Sequence, residues 1–293
     1  MAREAANGTR AVVITGASTG IGEACALRFD KLGFRVFAGV RKEADGERLQ
    51  RQTSDRLSPV FLDVTDEASI ASAAEMVRAA VGDAGLAGLV NNAGITVPGP
   101  LEFLPIEDLR LQIEVNLIGQ IAVTQAFLPL LRQGKGRIVN MGSVGGRMAT
   151  PFIGAYCASK FALEGATDSL RQELRPWGIS VSIVEPGSIA TPIWEKGVAA
   201  AEKLNEKLPQ RAHDLYDTAV AAMRRAVDKR TAAGIPPDEV AKAVAHALTA
   251  KRPKTRYLVG LDARLPAMFA KILPDRVRDG LVARAMGLPS KAE

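Results

Sequence analysis

Between residues 11 and 184, short continuous apolar runs alternate with longer segments of helical period. The first run, Ala11-Val12-Val13-Ile14, has no polar face, as a strand buried on both sides of a parallel sheet requires. A helical pattern follows from Ile21 to Leu32, carried by Ile21, Ala24, Cys25, Leu27 and Phe29, and Gly33 stops it before a second strand at Val36-Phe37-Ala38. The alternation continues with strands at 59–62, 87–90, 137–141 and 180–184, separated by helices at 66–80, 106–132 and 154–176. Strands that alternate with helices of this length predict βαβ units and an α/β, doubly wound parallel sheet flanked by helices.

After Gly187 the rhythm changes. Residues 188–235 are rich in Ala, Lys and Glu, predicting a helical insertion after the sixth strand, of the kind that lies over a binding site as a lid. Within it Ile193, Trp194, Leu204 and Leu208 either wall a lipophilic pocket or pack an extra helix pair; both readings stand. A helix at 237–250, a strand at 255–259 and a tail at 260–293 complete the chain. The mixed apolar and basic residues Arg264 to Met286 suit contact with a membrane surface or a hydrophobic product, but prolines 266 and 274 divide the tail into short segments better suited to docking on the domain itself or a neighbouring subunit. No Pro- or Gly-rich linker interrupts the 293 residues, so 1–293 reads as one domain.

Composition excludes several classes. The two cysteines, Cys25 and Cys157, fall inside predicted helices, which argues against a disulfide framework and fits a reducing, cytoplasmic setting. His213 and His246 lack metal-ligand spacing, so no metal is expected. No apolar stretch reaches the roughly 18 residues of a membrane span, and the N-terminal MAREAANGTR has no apolar signal core. The net charge of +6 is spread among acids, with Lys251-Arg252-Pro253-Lys254 the densest cluster, so a nucleic-acid surface is not expected.

Thr15-Gly16-Ala17-Ser18-Thr19-Gly20-Ile21-Gly22 joins the first strand to the first helix. Glycines so placed permit a tight turn, close approach of backbone to a pyrophosphate and close helix–strand packing, while the helix start favours the anion. The pattern reads as a Rossmann-like dinucleotide loop, rather than a turn without a ligand, with Gly16, Ser18, Thr19, Gly20 and Ile21 as its expected contacts. A carboxylate at the end of the second strand would bind a ribose hydroxyl, but here Val40 is followed by Arg41-Lys42. Arg41 pairs well with a 2′-phosphate, which tilts the cofactor to NADP, with NAD the alternative.

Tyr156 and Lys160 are four residues apart in a helix and share one face. A phenol, with a pKa near 10, becomes a usable base only beside positive charge, which the ammonium and an oxidised nicotinamide supply. Ser143 lies just past the strand at 137–141, where open α/β sheets place their sites, and its hydroxyl is placed to hold a substrate oxygen. Asn116 interrupts the apolar Val115, Leu117 and Ile118, and a buried Asn needs partners, which a water chain to Lys160 would provide. Cys157 points off this face and reads as a small core residue.

These residues resemble the short-chain dehydrogenase/reductase family. The glycine loop, Asp63-Val64, Asn91-Asn92-Ala93-Gly94, Asn116, Ser143, Tyr156-x-x-x-Lys160 and Pro186-Gly187 with Thr191 stand in that family's order and spacing over residues 10 to 285. The resemblance implies that Asn116, Ser143, Tyr156 and Lys160 form a catalytic tetrad, and that Lys160 also binds the nicotinamide ribose. It further implies that Asp63 contacts the adenine, that the segment 91–94 lines the cofactor through Asn92, Ala93 and Gly94, that Ile189 and Thr191 hold the carboxamide, and that Val64, Pro186 and Gly187 are further cofactor contacts. Dimers or tetramers through the helices carrying Asn116 and Tyr156 are implied too.

A nearer likeness, in Tyr156-Cys157-Ala158-Ser159-Lys160, Asp168–Leu174, Glu185-Pro186-Gly187 and Pro253–Tyr257, is to the branch of retinol, hydroxysteroid and 3-hydroxybutyrate dehydrogenases. It implies oxidation of a lipophilic, steroid- or retinoid-like secondary alcohol or reduction of its carbonyl. The alternative is a nucleotide-sensing regulator of the same fold with weak catalysis, against which all four tetrad residues are present.

Overall fold

The computed structural model describes residues 10–288, excluding the side chains of 229–232. Seven parallel strands form one sheet: β1 (Ala11–Ile14), β2 (Arg35–Val40), β3 (Leu57–Phe61), β4 (Gly88–Asn91), β5 (Arg137–Met141), β6 (Ser180–Pro186) and β7 (Arg256–Val259), in the order β3-β2-β1-β4-β5-β6-β7. The order reverses between β1 and β4, both of which pair in parallel with their neighbours. At such a switch point the strand ends diverge and leave a crevice.

Helices cover both faces. On one side α1 (Gly20–Lys31) packs against α9 (Pro237–Thr249), burying Phe29, Val244 and Leu248 with Val12, Ile14 and Val36 of the sheet. On the other, α3 (Glu67–Val81) and α5 (Gly119–Gly134) bury Val77, Phe127 and Leu131 against Val13, Leu89 and Ile138. Each such side chain contributes about 1.5–3 kcal/mol by leaving water. α6 (Gly154–Glu173) lies beside α4 (Ile106–Ile113) and carries the Tyr-Lys pair.

Several boundaries differ from expectation. α2 (Glu43–Gln50) occupies what the sequence left as a connection, because only Gly46 and Leu49 of its eight residues are buried and no apolar stripe marks it. β3 begins at Leu57, two residues early, since Pro59 sits within the strand. The helix expected at 106–132 is two α-helices joined by a wide turn of π type, Glu114–Ile118, centred on Asn116. This whole run, Ile106–Gly134, is long and apolar enough to cross a bilayer, contrary to the expectation that no stretch reaches that length; here its inner face packs on the sheet.

The insertion forms α7 (Ile193–Asn205) and α8 (Gln210–Ala232). The tail forms α10 (Leu261–Ile272) and α11 (Asp275–Met286), so Pro274 separates segments but Pro266 is absorbed inside a helix.

Candidate active site

The glycine loop is clamped to the end of β4 by hydrogen bonds. The Thr15 hydroxyl accepts the amides of Asn92 and Ala93, both at 2.9 Å, and the Asn92 side chain donates to the carbonyls of Thr15 and Gly16 at 2.9 and 3.1 Å. Gly16 has φ +63°, and a Cβ there would stand 2.9 Å from Ala93 Cα, so only glycine fits. Thr19 caps α1 without a side-chain bond, leaving the first-turn amides of that helix to an anion. Arg48 of α2, which sequence reasoning missed, braces the loop through the Ser18 carbonyl and Glu23.

Arg41 follows β2 with a side chain 69% exposed and its Nη1 3.9 Å from Asp63 Oδ2. Burial works against the Asp63 carboxylate, but hydrogen bonds from Thr65 and the Arg41 charge outweigh it and hold its pKa below the ordinary range. The loop, the free helix amides and Arg41 all face one elongated cleft of about 630 Å³. A left-handed glycine turn, unused amides and a cation beyond β2 together fit a phosphate-bearing dinucleotide.

At the far end of the cleft, Ser143 follows β5 and accepts the Gly145 amide at 3.0 Å. The Lys160 ammonium donates to the Met141 carbonyl at 2.7 Å and lies 5.7 Å from the Tyr156 ring centre. Burial lowers Lys160 to about 8. It pushes the Tyr156 phenol up to about 12, while the hydrogen bond with Ser143 pulls the other way. In the protein alone, loss of water therefore sets the direction, and the lowering expected from the Lys160 ammonium does not appear.

Every site residue expected from the sequence lines this cleft except Asn116. Asn116 is fully buried; its Oδ1 accepts the Ile95 amide at 2.9 Å, and its Nδ2 donates to the Ile95 carbonyl at 3.0 Å and to Ser159 Oγ at 3.1 Å. Protein groups thus partner this buried amide. Ser159 in turn donates to the Tyr156 carbonyl at 2.7 Å, so Asn116 is a brace for α6. Ser159 was missed; its signal was a small polar residue on the buried face, bonding back one turn.

The outer wall of the cleft is apolar. Ile193 and Trp194 of α7 line it, with the Trp194 indole donating to the Ile189 carbonyl at 3.0 Å, whereas Leu204 and Leu208 pack against Leu104 and Ala155. The two readings of these four residues divide accordingly. Met223 of α8, Phe269 of α10 and Leu281 and Met286 of α11 complete the wall. The sequence singled out none of these last four individually, although the insertion that carries Met223 was read as a lid over a binding site and the tail that carries the other three as able to meet a hydrophobic product. Cys157 is buried beside the turn after Ser143, and burial raises its thiol, in keeping with a core residue.

The model of the short chain dehydrogenase family matches residues 10–202. The chain is 40% identical over 287 residues to retinol dehydrogenase 5 of Mus musculus, covering 96% of this chain and 90% of that protein. It is also 40% identical over 287 residues to 17-beta-hydroxysteroid dehydrogenase type 6 of Bos taurus, with the same coverage. Among solved structures it is similar to a short chain dehydrogenase from Burkholderia cenocepacia J2315 in complex with NADP, with a TM-score of 0.71 and 28% identity over 95% of this chain and 98% of that one. With a loop built for a dinucleotide, a Tyr-Lys pair at the strand ends and likeness over nearly its whole length, the chain belongs to the short-chain dehydrogenase/reductase family and is an oxidoreductase of alcohol and carbonyl groups.

Proposed function

We propose that the protein uses NADP(H), in preference to NAD(H), to interconvert a lipophilic secondary alcohol and its carbonyl, with a steroid- or retinoid-like substrate. The observation that carries this is the convergence of Ser143, Tyr156 and Lys160 on one cleft whose inner end is the glycine loop and whose outer wall is apolar. The glycine loop and the amides starting α1 would hold the pyrophosphate, Arg41 the 2′-phosphate, and Lys160, Pro186, Gly187, Ile189 and Thr191 the nicotinamide end. When bound, the nicotinamide supplies the hydride acceptor or donor and, oxidised, a positive charge beside the phenol. Tyr156 takes the substrate hydroxyl proton in oxidation and returns it in reduction. The Ser143 hydroxyl orients the reacting oxygen, and Lys160 sets the charge beside the phenol.

The apolar residues Trp194, Met223 and Phe269 favour a substrate that gains by leaving water. The names of the relatives, a retinol and a 17-beta-hydroxysteroid dehydrogenase, support the substrate class, and the NADP in the Burkholderia protein supports a nicotinamide dinucleotide cofactor, the choice of NADP resting on Arg41. A homodimer or homotetramer is proposed through the exposed Leu111, Ile118, Ile121 and Phe161 on the α4–α5 run and α6, with light scattering as its check.

The test is fluorescence titration of NADPH against NADH, followed by turnover of retinol and of a 17β-hydroxysteroid. Tyr156→Phe is expected to abolish turnover of either alcohol and to leave NADPH affinity unchanged; surviving turnover overturns the proton-transfer role. Tighter NADH binding overturns the role of Arg41.

A further inference from the structure

We propose that Arg147 is a positioning residue for the Ser143 hydroxyl, held by a buried pair of carboxylates, Glu164 and Glu185. The proposal rests on the reading of Ser143 given above. After Ser143 the chain makes one tight turn, Val144–Gly146, in which Gly146 N donates to Ser143 O at 2.9 Å and the amides of Arg147 and Met148 donate to Val144 O at 2.9 and 3.0 Å. The turn lies flat on α6. A Cβ on Gly146 would stand 2.9 Å from the Lys160 carbonyl oxygen, and one on Gly145 would stand 3.3 Å from Tyr156 Cε1. Two glycines in contact with a helix supply no side chains of their own to fix the turn, which is capped by the Ser143 hydroxyl.

Arg147 is the first side chain past the turn, and it reaches into a charged cluster. Its Nε and Nη2 donate to the two oxygens of Glu185 at 3.2 and 3.3 Å, and its Nε lies 3.9 Å from Glu164 Oε2. Glu185 is wholly buried on β6, directly before Pro186-Gly187, and Glu164 lies on α6 one turn after Lys160. One guanidinium therefore ties together the segments that carry Ser143, Lys160 and Pro186-Gly187. Arg256 of β7 closes the far side, donating to Glu164 at 2.9 Å and Asp168 at 2.8 Å, and standing 3.4 Å from Glu185; Asp168 is shared with Arg171.

The charged groups facing Glu164 are thus Glu185, Arg147 and Arg256, with Asp168 and Arg171 at the rim. A two-pronged pair sets angle as well as distance. Burying charges is costly, and an apolar patch would pack these elements as well, so the directional hold accounts for the cluster's presence. Burial first, then the charge of Glu185, pushes Glu164 up to about 7 against the pull of Arg147 and Arg256. Above that pH an ionised Glu164 holds Arg147 from a second side, and below it the hold is on Glu185 alone.

The test uses the full chain with NADPH or NADP⁺ and whichever of retinol or a 17β-hydroxysteroid turns over faster. Arg147→Lys keeps the charge and loses the two-pronged hold, while Glu164→Gln keeps the shape and loses the charge. Arg147→Lys is expected to lower kcat about ten-fold or more with NADPH Kd within about two-fold of wild type, and to add nothing in a Ser143→Ala background, as a residue acting through Ser143 must. In the wild type, kcat is expected to fall as pH drops through about 7, and Glu164→Gln to hold the lower value across that range. An additive double mutant, parallel losses in kcat, Kd and Tm, or a Glu164→Gln profile that overlays the wild type overturns the proposal alone. Full turnover in Ser143→Ala overturns the reading of the site, and this proposal with it.

Discussion

Gly22→Ala puts the packing of α1 on the glycine loop to a quantitative test. A methyl carbon at this position would stand 2.2 Å from the Gly16 carbonyl oxygen, 2.8 Å from its carbon and 2.5 Å from Asn92 Nδ2. Two of these are backbone atoms of a clamped loop, so the helix start or the loop must give way by about an ångström to reach ordinary contact. Overpacking of this kind costs about 1–3 kcal/mol. Asn92 donates to both Thr15 and Gly16, and losing one such bond adds about 1 kcal/mol. The expected total of about 2–4 kcal/mol divides between folding and cofactor binding, because the displaced carbonyl belongs to the cofactor loop. NADPH titration should therefore show affinity weakened by about ten- to a hundred-fold, each factor of ten being about 1.4 kcal/mol, with a lower urea midpoint. The control is Gly165→Ala in the middle of α6, where nothing lies within 4 Å of the added carbon. It should raise stability by about 0.5–1 kcal/mol through helix propensity alone. Wild-type NADPH affinity and an unchanged midpoint in Gly22→Ala would refute the close-packing argument.

Three further outcomes are expected. Lys160 titrates near 8 in the fold against 10.5 outside it, so the unfolded chain binds more protons between those values and stability should rise with pH across that range. The urea midpoint of Lys160→Met, measured from pH 7 to 10, should lack that rise; a constant offset from wild type contradicts the burial argument. Asn116→Leu should cost about 2–4 kcal/mol of stability, since the amide and carbonyl of Ile95 and the hydroxyl of Ser159 lose buried partners, and kcat should fall more than NADPH affinity. Tyrosinate absorbance, taken as the difference between wild type and Tyr156→Phe, should have its midpoint near pH 12 in the protein alone and at lower pH with NADP⁺; an unmoved titration counts against a cationic ring beside the phenol.

The parts of the fold written in local patterns were legible. Ala11–Ile14 is apolar at every position because the strand is buried on both faces, and its run into Gly16 announces the turn. Tyr156 and Lys160 advertise themselves by helical spacing, and both face the cleft. α2 was not legible, because a helix burying two residues of eight leaves no periodic stripe. Of the apolar outer wall, Ile193 and Trp194 were legible as lid residues, but Met223, Phe269 and Leu281 were not, since they meet only after the chain has crossed the sheet. Asn116 was recognised as a buried amide in need of partners, but its partners are a backbone segment 21 residues away and a serine 43 residues away. No local pattern encodes such pairs, nor the Arg147–Glu185 contact across 38 residues.

The inward face of α6 explains why so much of the site depends on such distant pairs. Tyr156, Ser159, Lys160, Glu164 and Thr167 follow one another at helical spacing, and four of them are buried polar or charged groups with directional partners. Ser159 meets Asn116, Lys160 the Met141 carbonyl, Glu164 Arg256, and Thr167 accepts from Asn140 at 2.9 Å. An apolar stripe would bury the helix as firmly but would tolerate sliding or rolling at little cost, because dispersion contacts have no preferred direction. Hydrogen bonds of fixed length spread over three turns admit one register, and that register sets Tyr156 against Ser143. Loss of a single anchor should therefore disturb the position of the phenol before it unfolds the helix.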